Sequence, residues 1–318
     1  MKSLIKKLLV TFDYFLFIPV IFSGIILKFI RKAGMQRMKI SRFFLVQLGV
    51  FPILDHYYEP LFNKKKLSAP LSNERKLSGI KWNLDEQLKF LEHLSFTKEI
   101  LDNEWKTYSG KKFYFGNGSV ESGDAEYLYN LIRYLKPKKI IEVGSGFSTL
   151  IIKQATEKNK LMNIKDSCEI TCIEPYEQSW LEELDINVLR ARVENIEMKL
   201  FDKLNKNDLL FIDSSHVIRP QGDVTFEILD LLPKLNSGVY VHFHDIFSPH
   251  DYPEEWLFEH MRFWNEQYLL EAFLTNNSDW EIIGSLNHLS KNYFNQLNNV
   301  CRFLSKDRDP GSFYIRKK

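Results

Sequence analysis

Two short stretches of the chain end apolar runs with acids and histidines. The stretch FIDSSH contains Asp213 and His216, and the stretch YVHFHD ends in His244 and Asp245. A histidine with an ordinary pKa of about 6.5 can accept a proton at neutral pH, and a carboxylate can orient it. In a plainer interpretation, Asp213 only bonds a backbone amide and His216 only caps a helix or stacks on an aromatic ring. The positions of the two stretches in the fold decide between these interpretations.

From about residue 120 onwards, strand patterns alternate with helix patterns. This alternation predicts an α/β fold with a mostly parallel sheet that helices cover on both faces. Right-handed crossovers place the carboxyl ends of the parallel strands at one edge, where ligands bind in open α/β sheets. The strand-like stretches are KKIIEV, EITCIEP, INVLRARV, DLLFIDSS, GVYVHFHD and the terminal SFYIR; the helix-like ones are DAEYLYNLIRYLKP, STLIIKQATEKN and GDVTFEILDLLPKL.

A glycine turn and an acid follow the first two of these strands. In EVGSGFST, Gly144 and Gly146 allow a sharp turn and a close approach of a ligand to the backbone. The third glycine of a dinucleotide-binding fingerprint is absent, because Thr149 stands there. Glu174 ends the next strand, where a carboxylate can accept both hydroxyls of a ribose. Without a ligand, Glu174 would be an ordinary solvated carboxylate.

In this order, the motifs resemble those of class I S-adenosylmethionine-dependent methyltransferases. EVGSGFST and CIEP are similar to the first two motifs of that family, and IDSSH and HD resemble the strand ends of a bacterial branch with IDxxH and HD patterns. The resemblance covers residues 120–256 and implies a Rossmann-like sheet of seven strands with S-adenosylmethionine as methyl donor. It places Glu174 on the ribose and Glu194 on the adenine side, although Glu194 is equally well read as a surface carboxylate. It places the turn against the methionine part of the donor, through Glu142, Gly144, Ser145 and Gly146.

The same resemblance gives the acids and histidines roles in methyl transfer. Transfer to a hydroxyl requires an oriented acceptor and removal of its proton, and His216 is the predicted base. Some methyltransferases of similar pattern hold a divalent ion with strand-end acids, which predicts Asp213 and Asp245 as ligands, with His244 as a third. The ion would be magnesium or manganese. Asp213, His216 and Asp245 are therefore the predicted catalytic residues, while His242 is expected to pack within its strand.

An aromatic-rich segment follows the fifth strand. The spacing of Trp256, Phe263, Trp264 and Tyr268 predicts one helix whose aromatic face is mostly core. Arg262 lies in the same segment, and nothing in the sequence fixes whether it faces the site.

The N-terminus has the composition of a membrane anchor. Residues 8–27 are long enough to cross a bilayer core, and Asp13 is their only charged residue. Basic residues are more numerous after this stretch than before it, which predicts a cytoplasmic catalytic domain. A signal peptide, a buried core helix and an anchor lying in the membrane plane are the alternatives. The predicted domains are an anchor over 1–42, an extension covering the active site over 43–119, and a catalytic domain over 120–318.

The composition restricts the functional class further. A net charge of +2 argues against nucleic acid as a partner, and three cysteines without a CxxC pair argue against a disulfide framework or a zinc site. The leading hypothesis is a methyltransferase for an oxygen atom of a small molecule or a glycan precursor. A metal-dependent hydroxylase on the same sheet and a non-catalytic, membrane-tethered binding module are the alternatives. The sequence leaves the oligomeric state open.

Overall fold

The computed structural model of the chain divides into two compact units. It describes residues 2–61, 63–102, 105, 112–176 and 178–318. One unit comprises Met1–Ala69 and the other Pro70–Lys318. Parts of the segments predicted over 1–42 and 43–119 lie outside the described residues, namely 1, 62, 103–104 and 106–111. The domain boundaries at 42 and 119 therefore stay a prediction.

The first unit is built on one long apolar helix. Helix α1 spans Lys2–Ala33. Within Ile5–Ala33, an 18-residue window has a mean hydropathy of 2.0, and none of that window is buried in the structure. By length and composition this helix can cross a membrane, although a signal sequence has the same properties.

A short second helix and an irregular segment complete this unit. Helix α2 spans Lys39–Gln47 and has no buried residue. At the end of α1, Arg31 pairs with the Glu59 carboxylate and its guanidinium lies 4.8 Å from the centre of the Phe51 ring. The segment after α2 is thus fastened to the carboxyl end of α1.

The second unit contains the predicted seven-stranded sheet. The strand order is β3-β2-β1-β4-β5-β7-β6, and only β7 runs antiparallel to its neighbours β5 and β6. The α/β fold is confirmed. The strands are β1 Lys139–Val143, β2 Glu169–Ile173, β3 Asn187–Leu189, β4 Leu209–Ile212, β5 Tyr240–Phe243, β6 Trp280–Ser285 and β7 Phe313–Lys317.

Helices cover both faces of this sheet, as the alternation of patterns predicts. Large apolar clusters lie on the two faces; one contains residues of α5 and α6 and the other contains residues of α9. The helices of this unit are α3 Leu84–His93, α4 Thr97–Asp102, α5 Asp124–Leu135, α6 Phe147–Met162, α7 Asp223–Thr225, α8 Glu254–Phe258, α9 Glu266–Leu274, α10 Leu286–Asn292 and α11 Phe294–Val300.

Two predicted helices differ from the structure. The stretch after β4 is the short α7 followed by a π-helical turn over Phe226–Leu231. The aromatic segment is not one helix, because α8 ends at Phe258 and α9 begins only at Glu266. Between them, Met261 has a positive φ of 52°, which interrupts any helix. This interruption forms a loop over residues 259–265, here called the 259–265 loop.

The glycine turn after β1 passes unusually close to the end of β4. The Gly144 amide donates to the Ile173 carbonyl at 3.0 Å, and the Asp213 amide donates to the Val143 carbonyl at 2.9 Å. Gly144 has a φ of +76°, and a Cβ atom there would lie 1.7 Å from the Asp213 carbonyl oxygen. Only glycine fits this position, whereas a Cβ on Gly146 would meet nothing within 4 Å.

We expect Gly144→Ala to lower the free energy of unfolding by more than about 3 kcal/mol, because it forces a backbone clash in addition to an unfavourable φ. Thermal unfolding of the full chain in detergent measures the effect. Gly146→Ala is the matched control and should unfold near the wild-type temperature. Equal unfolding temperatures for the two variants would contradict the described turn.

Candidate active site

A cavity of about 540 Å³ opens at the carboxyl edge of β1, β2 and β4. The glycine turn forms its floor, and the loops after β2, β3 and β4 form its walls. This is the edge where the sequence predicts a ligand. The lining includes Ser119, Val120, Gly144, Ser145, Gly146, Phe147, Glu174, Tyr176, Arg192, Glu194, Asp213, Ser215 and Arg219.

Five of the six residues predicted to hold the donor line this cavity. They are Gly144, Ser145, Gly146, Glu174 and Glu194. The Ser145 hydroxyl is buried and has no hydrogen-bond partner among the described residues. A buried hydroxyl without a partner is costly, so a polar ligand group in the cavity would satisfy it. The cavity thus has the volume and the free donor expected of a ligand site.

Glu142, the sixth predicted residue, lies beneath the turn and does not line the cavity. Its carboxylate accepts hydrogen bonds from the hydroxyls of Ser148 and Thr149, each at 2.6 Å, and from the Cys172 thiol at 3.2 Å. Burial raises the pKa of Glu142 to about 7, although these three donors oppose the shift. In this position Glu142 connects the end of β1 to the first turn of α6 and so fixes the shape of the glycine turn.

The loop after β4 is fixed by two further acids. Asp223, at the start of α7, accepts from the backbone amide of Ser215 at 2.9 Å and from its hydroxyl at 2.7 Å. Glu227 accepts from the Ser214 hydroxyl at 2.9 Å. Burial, and then the neighbouring charge of Glu266, raises the pKa of Glu227 well above its ordinary value. Glu227 lies in the π-helical turn, so this turn positions a carboxylate that holds the loop after β4.

His216 lies between carboxylates on both sides of its ring. Its Nδ1 is 2.8 Å from Oε2 of the buried Glu266, and its Nε2 is 3.2 Å from Oδ1 of Asp213. Asp245 Oδ2 lies 3.9 Å from the same Nε2. Burial alone would lower the pKa of His216, but the bonds to Asp213 and Glu266 raise it well above the ordinary value. The two bonds thus hold the imidazole in one orientation.

The acids around His216 respond differently to burial. Burial would raise the pKa of Asp213, but His244 and the bond from His216 lower it below its ordinary value. Burial raises the pKa of Asp245 and of Glu266, and the nearby histidines only partly offset this effect. Asp213 is therefore the carboxylate that most readily stays ionised, and it also lines the cavity. This residue joins the acid-histidine cluster to the ligand site.

The predicted metal ligands are only partly brought together. Ligand atoms of Asp213, His216 and Asp245 all lie within 4.8 Å of one another. His244 is not part of this group, and its Nε2 is 3.7 Å from Oδ1 of Asp245. The donor set found in the structure thus contains His216 in the place that the sequence assigns to His244. The oxygen and nitrogen atoms of this group suit a divalent ion.

His242 packs within the sheet, as its place in the strand predicts. Its Nε2 lies 3.0 Å from the Ser312 hydroxyl, and its ring centre is 4.1 Å from that of Phe211. Burial, and then the charge of His244, lowers the pKa of His242 well below its ordinary value. This histidine is neutral at physiological pH and stabilises the contact between β5 and β7.

Glu266 completes the cluster, and no sequence motif predicts it. It is 50 residues from His216 along the chain. The Trp264 ring lies 4.2 Å from the His216 ring, centre to centre, whereas the sequence predicts Trp264 on the mostly buried aromatic face of a helix. Asn265 and Glu266 form a polar pair within the aromatic run, but the spacing predicts a single helix there and gives the pair no role in the site.

Comparisons with known proteins agree with this geometry. A family model described as a methyltransferase domain matches residues 141–246, which span β1 to the residue after Asp245. An uncharacterized protein of Archaeoglobus fulgidus is 30% identical over 48% of this chain and 73% of its own length.

Solved structures with some similarity include two bacterial O-methyltransferases. The enzyme TomG of Streptomyces achromogenes, involved in tomaymycin synthesis and solved with S-adenosylmethionine, is 14% identical, with a TM-score of 0.37 over 75% of this chain and 92% of that chain. An O-methyltransferase of Bacillus cereus, solved with S-adenosylhomocysteine, is 11% identical, with a TM-score of 0.37 over 72% of this chain and 91% of that chain.

The match of the family model extends over the glycine turn, Glu174 and both acid-histidine strand ends. The sheet order and the cavity at its edge agree with that match. The chain therefore belongs to the class I S-adenosylmethionine-dependent methyltransferases.

Proposed function

We propose that the chain transfers a methyl group to a hydroxyl oxygen of a small molecule or glycan precursor, with His216 as the general base. The observation that carries the proposal is the position of His216, whose Nδ1 is bonded to Glu266 and whose Nε2 faces Asp213 at the cavity. A base must be held within reach of the acceptor proton, and this arrangement orients one ring nitrogen toward the cavity side.

Different residues of the cavity would bind different parts of the donor. Glu174 would accept the ribose hydroxyls, Glu194 would face the adenine side, and the turn at Gly144 would contact the methionine part. When bound, S-adenosylmethionine supplies a methyl group already activated by its positive sulfur. The chain therefore has to align the acceptor and accept its proton.

The carboxylates around His216 control its proton. Glu266 accepts from Nδ1 and would stabilise the charged ring after proton uptake. Asp213 lies at hydrogen-bond distance from Nε2. Both carboxylates raise the pKa of the imidazole, and the positive charge of a bound donor would offset this effect and lower that pKa toward neutrality. His216 then becomes available as a base once donor and acceptor are both bound.

Binding of a divalent metal ion by the residues around His216 is the alternative to a general-base mechanism. Asp213, Asp245 and His216 offer three ligand atoms that a magnesium or manganese ion could share. Such an ion would draw in an acceptor hydroxyl and lower its pKa. It would also occupy His216 Nε2, so His216 would be a ligand and a different group would take the proton.

We also propose that the first unit attaches the enzyme to the cytoplasmic face of a membrane. Helix α1 has the length and hydropathy of a spanning helix. Helix α2 supports this attachment, because Ile40, Phe43 and Phe44 are exposed on it while Lys39 and Arg42 supply positive charge. A short helix of this composition suits the headgroup region of a membrane. An acceptor built on a lipid carrier would match this location.

For the donor site, we expect S-adenosylhomocysteine to bind the full chain and Glu174→Gln to weaken that binding about tenfold, because hydrogen bonds to a charged carboxylate are lost. Isothermal titration calorimetry measures both affinities. Glu157→Gln, on the exposed side of α6, is the control and should bind like the wild type. If millimolar S-adenosylhomocysteine does not bind, the donor site is wrongly assigned.

For the base, we expect His216→Gln to lower methyl transfer by about 10²- to 10⁴-fold, the usual loss when a general base is removed. The assay follows labelled methyl from S-adenosylmethionine into small molecules and lipid extracts of the source cells. His93→Gln, an exposed histidine at the end of α3, is the control. Unchanged affinity for S-adenosylhomocysteine would show that the variant is folded, and a rate near that of the wild type would exclude His216 as the base.

Treatment with a chelator distinguishes a mechanism with His216 as general base from a mechanism with a bound metal ion. We expect EDTA to leave the wild-type rate unchanged, because His216 already compensates the charge of Asp213 in the described structure. Loss of activity with EDTA and recovery with magnesium or manganese would instead make Asp213, His216 and Asp245 a metal site.

For the membrane attachment, we expect the full chain to stay in the membrane pellet after alkaline carbonate extraction, because α1 would be embedded in the bilayer. Deletion of residues 2–37 should release it in part, since α2 alone is a weak anchor. Mass spectrometry of the mature protein tests the signal-sequence alternative, which requires cleavage near the end of α1.

A further inference from the structure

Near His216, an arginine packs against two indole rings. The Cζ atom of Arg262 is 4.5 Å from the ring centre of Trp256 and 4.5 Å from that of Trp264. The two rings meet edge to face, with their centres 5.2 Å apart and an angle of 81° between their planes, so the guanidinium lies in the corner that they form. Arg262 is half-buried in the 259–265 loop, and the two rings restrict its position.

The Arg262 guanidinium has no acidic partner among the residues that the structure describes. Other part-buried arginines of this unit are paired: Arg75 bonds Glu271, and Arg133 bonds Glu99. Glu255, which belongs to the adjacent α8, lies 3.6 Å from His260 instead. An ordered guanidinium with free donors is the arrangement that binds a carboxylate or phosphate group in two-pronged fashion.

The backbone connects this arginine rigidly to the base. The amides of Asn265 and Glu266 donate to the His216 carbonyl at 3.0 and 3.2 Å, and the Arg262 amide donates to the Trp256 carbonyl at 2.9 Å. The Trp264 ring contacts both the His216 ring and the guanidinium. A ligand that touches Arg262 is therefore held at a fixed separation from His216 Nε2.

We propose that Arg262 binds an anionic group of the methyl acceptor, so that the acceptor is a hydroxylated acid with a carboxylate or phosphate. This inference rests on the proposed methyl transfer to a hydroxyl. An acidic acceptor needs a compensating cation here, since Asp213, Asp245 and Glu266 surround the base and would repel it. Arg262 supplies the compensating charge at the place where it also orients the acceptor.

The first test measures anion binding without the acceptor. Inorganic phosphate and acetate are titrated into the full chain saturated with S-adenosylhomocysteine, and the tryptophan emission is followed. We expect saturable binding of at least one of the two anions, weakened at least about tenfold in Arg262→Gln. Comparison of the two anions distinguishes a phosphate site from a carboxylate site. Arg302→Gln, an exposed arginine far along the chain, is the control and should behave like the wild type.

The second test examines the products of the reaction. Methyl-labelled S-adenosylmethionine is incubated with the full chain and extracts of the source cells, and the labelled products are separated on an anion exchanger. We expect the label in retained, acidic products, with the KM for the acceptor raised about tenfold or more in Arg262→Gln and less in Arg262→Lys. Affinity for S-adenosylhomocysteine should not change.

Two results would overturn the inference while leaving the methyltransferase assignment intact. One is the absence of saturable anion binding in a protein that binds S-adenosylhomocysteine normally, or equal binding in Arg262→Gln. The other is label in neutral or basic products only. Failure of the proposed function looks different, because label would then appear on nitrogen or carbon, or His216→Gln would keep the wild-type rate.

Discussion

The site depends on one close backbone contact, in which the turn at Gly144 meets the end of β4 at Asp213. The carbonyl oxygen of Asp213 occupies the space where any other residue at 144 would carry its Cβ atom. Hydrogen bonds from Gly144 to Ile173 and from Asp213 to Val143 join three strands at this point. Because the turn lines the cavity and the Asp213 side chain lies beside His216, the contact fixes the position of the imidazole relative to the cavity. Glu142 stabilises the same turn from below.

A surplus of acid around His216 is the second constraint on the site. Asp213, Asp245, Glu227 and Glu266 lie close to His216; the pKa is raised for the last three, whereas His244 and His216 outweigh burial at Asp213 and lower its pKa. Carboxylates that are withdrawn from solvent need compensating charge. In the proposed function, the sulfonium of a bound donor would supply such charge on the cavity side. The acceptor side would need its own cation if the acceptor is an acid.

The sequence predicts the sheet and the donor side well, because these follow from local patterns. Apolar runs that end in glycine, glutamate or aspartate indicate β1, β2 and β4, and the order of motifs indicates the cavity. The sixth strand, Trp280–Ser285, was not recognised, since it pairs only with β7 and carries no motif. The sequence gives no signal for Glu266 and leaves the position of Arg262 open for a different reason. The loop before α9 depends on a positive φ at Met261, a residue type that gives no turn signal, so the aromatic spacing predicts one continuous helix.

The strain at His216 explains why the imidazole and the 259–265 loop belong together. His216 has a φ of 60° and Asp245 one of 57°, and each left-handed residue costs about 1–3 kcal/mol unless its surroundings compensate. At His216, the first amides of α9 supply that compensation through their bonds to its carbonyl, and they satisfy donors that a helix start otherwise leaves free. The imidazole is therefore positioned by the segment that also presents Arg262 and Trp264. Under the proposed function, side chains of that loop can change the acceptor while its backbone keeps the imidazole in place, which separates specificity from chemistry within a single structural unit.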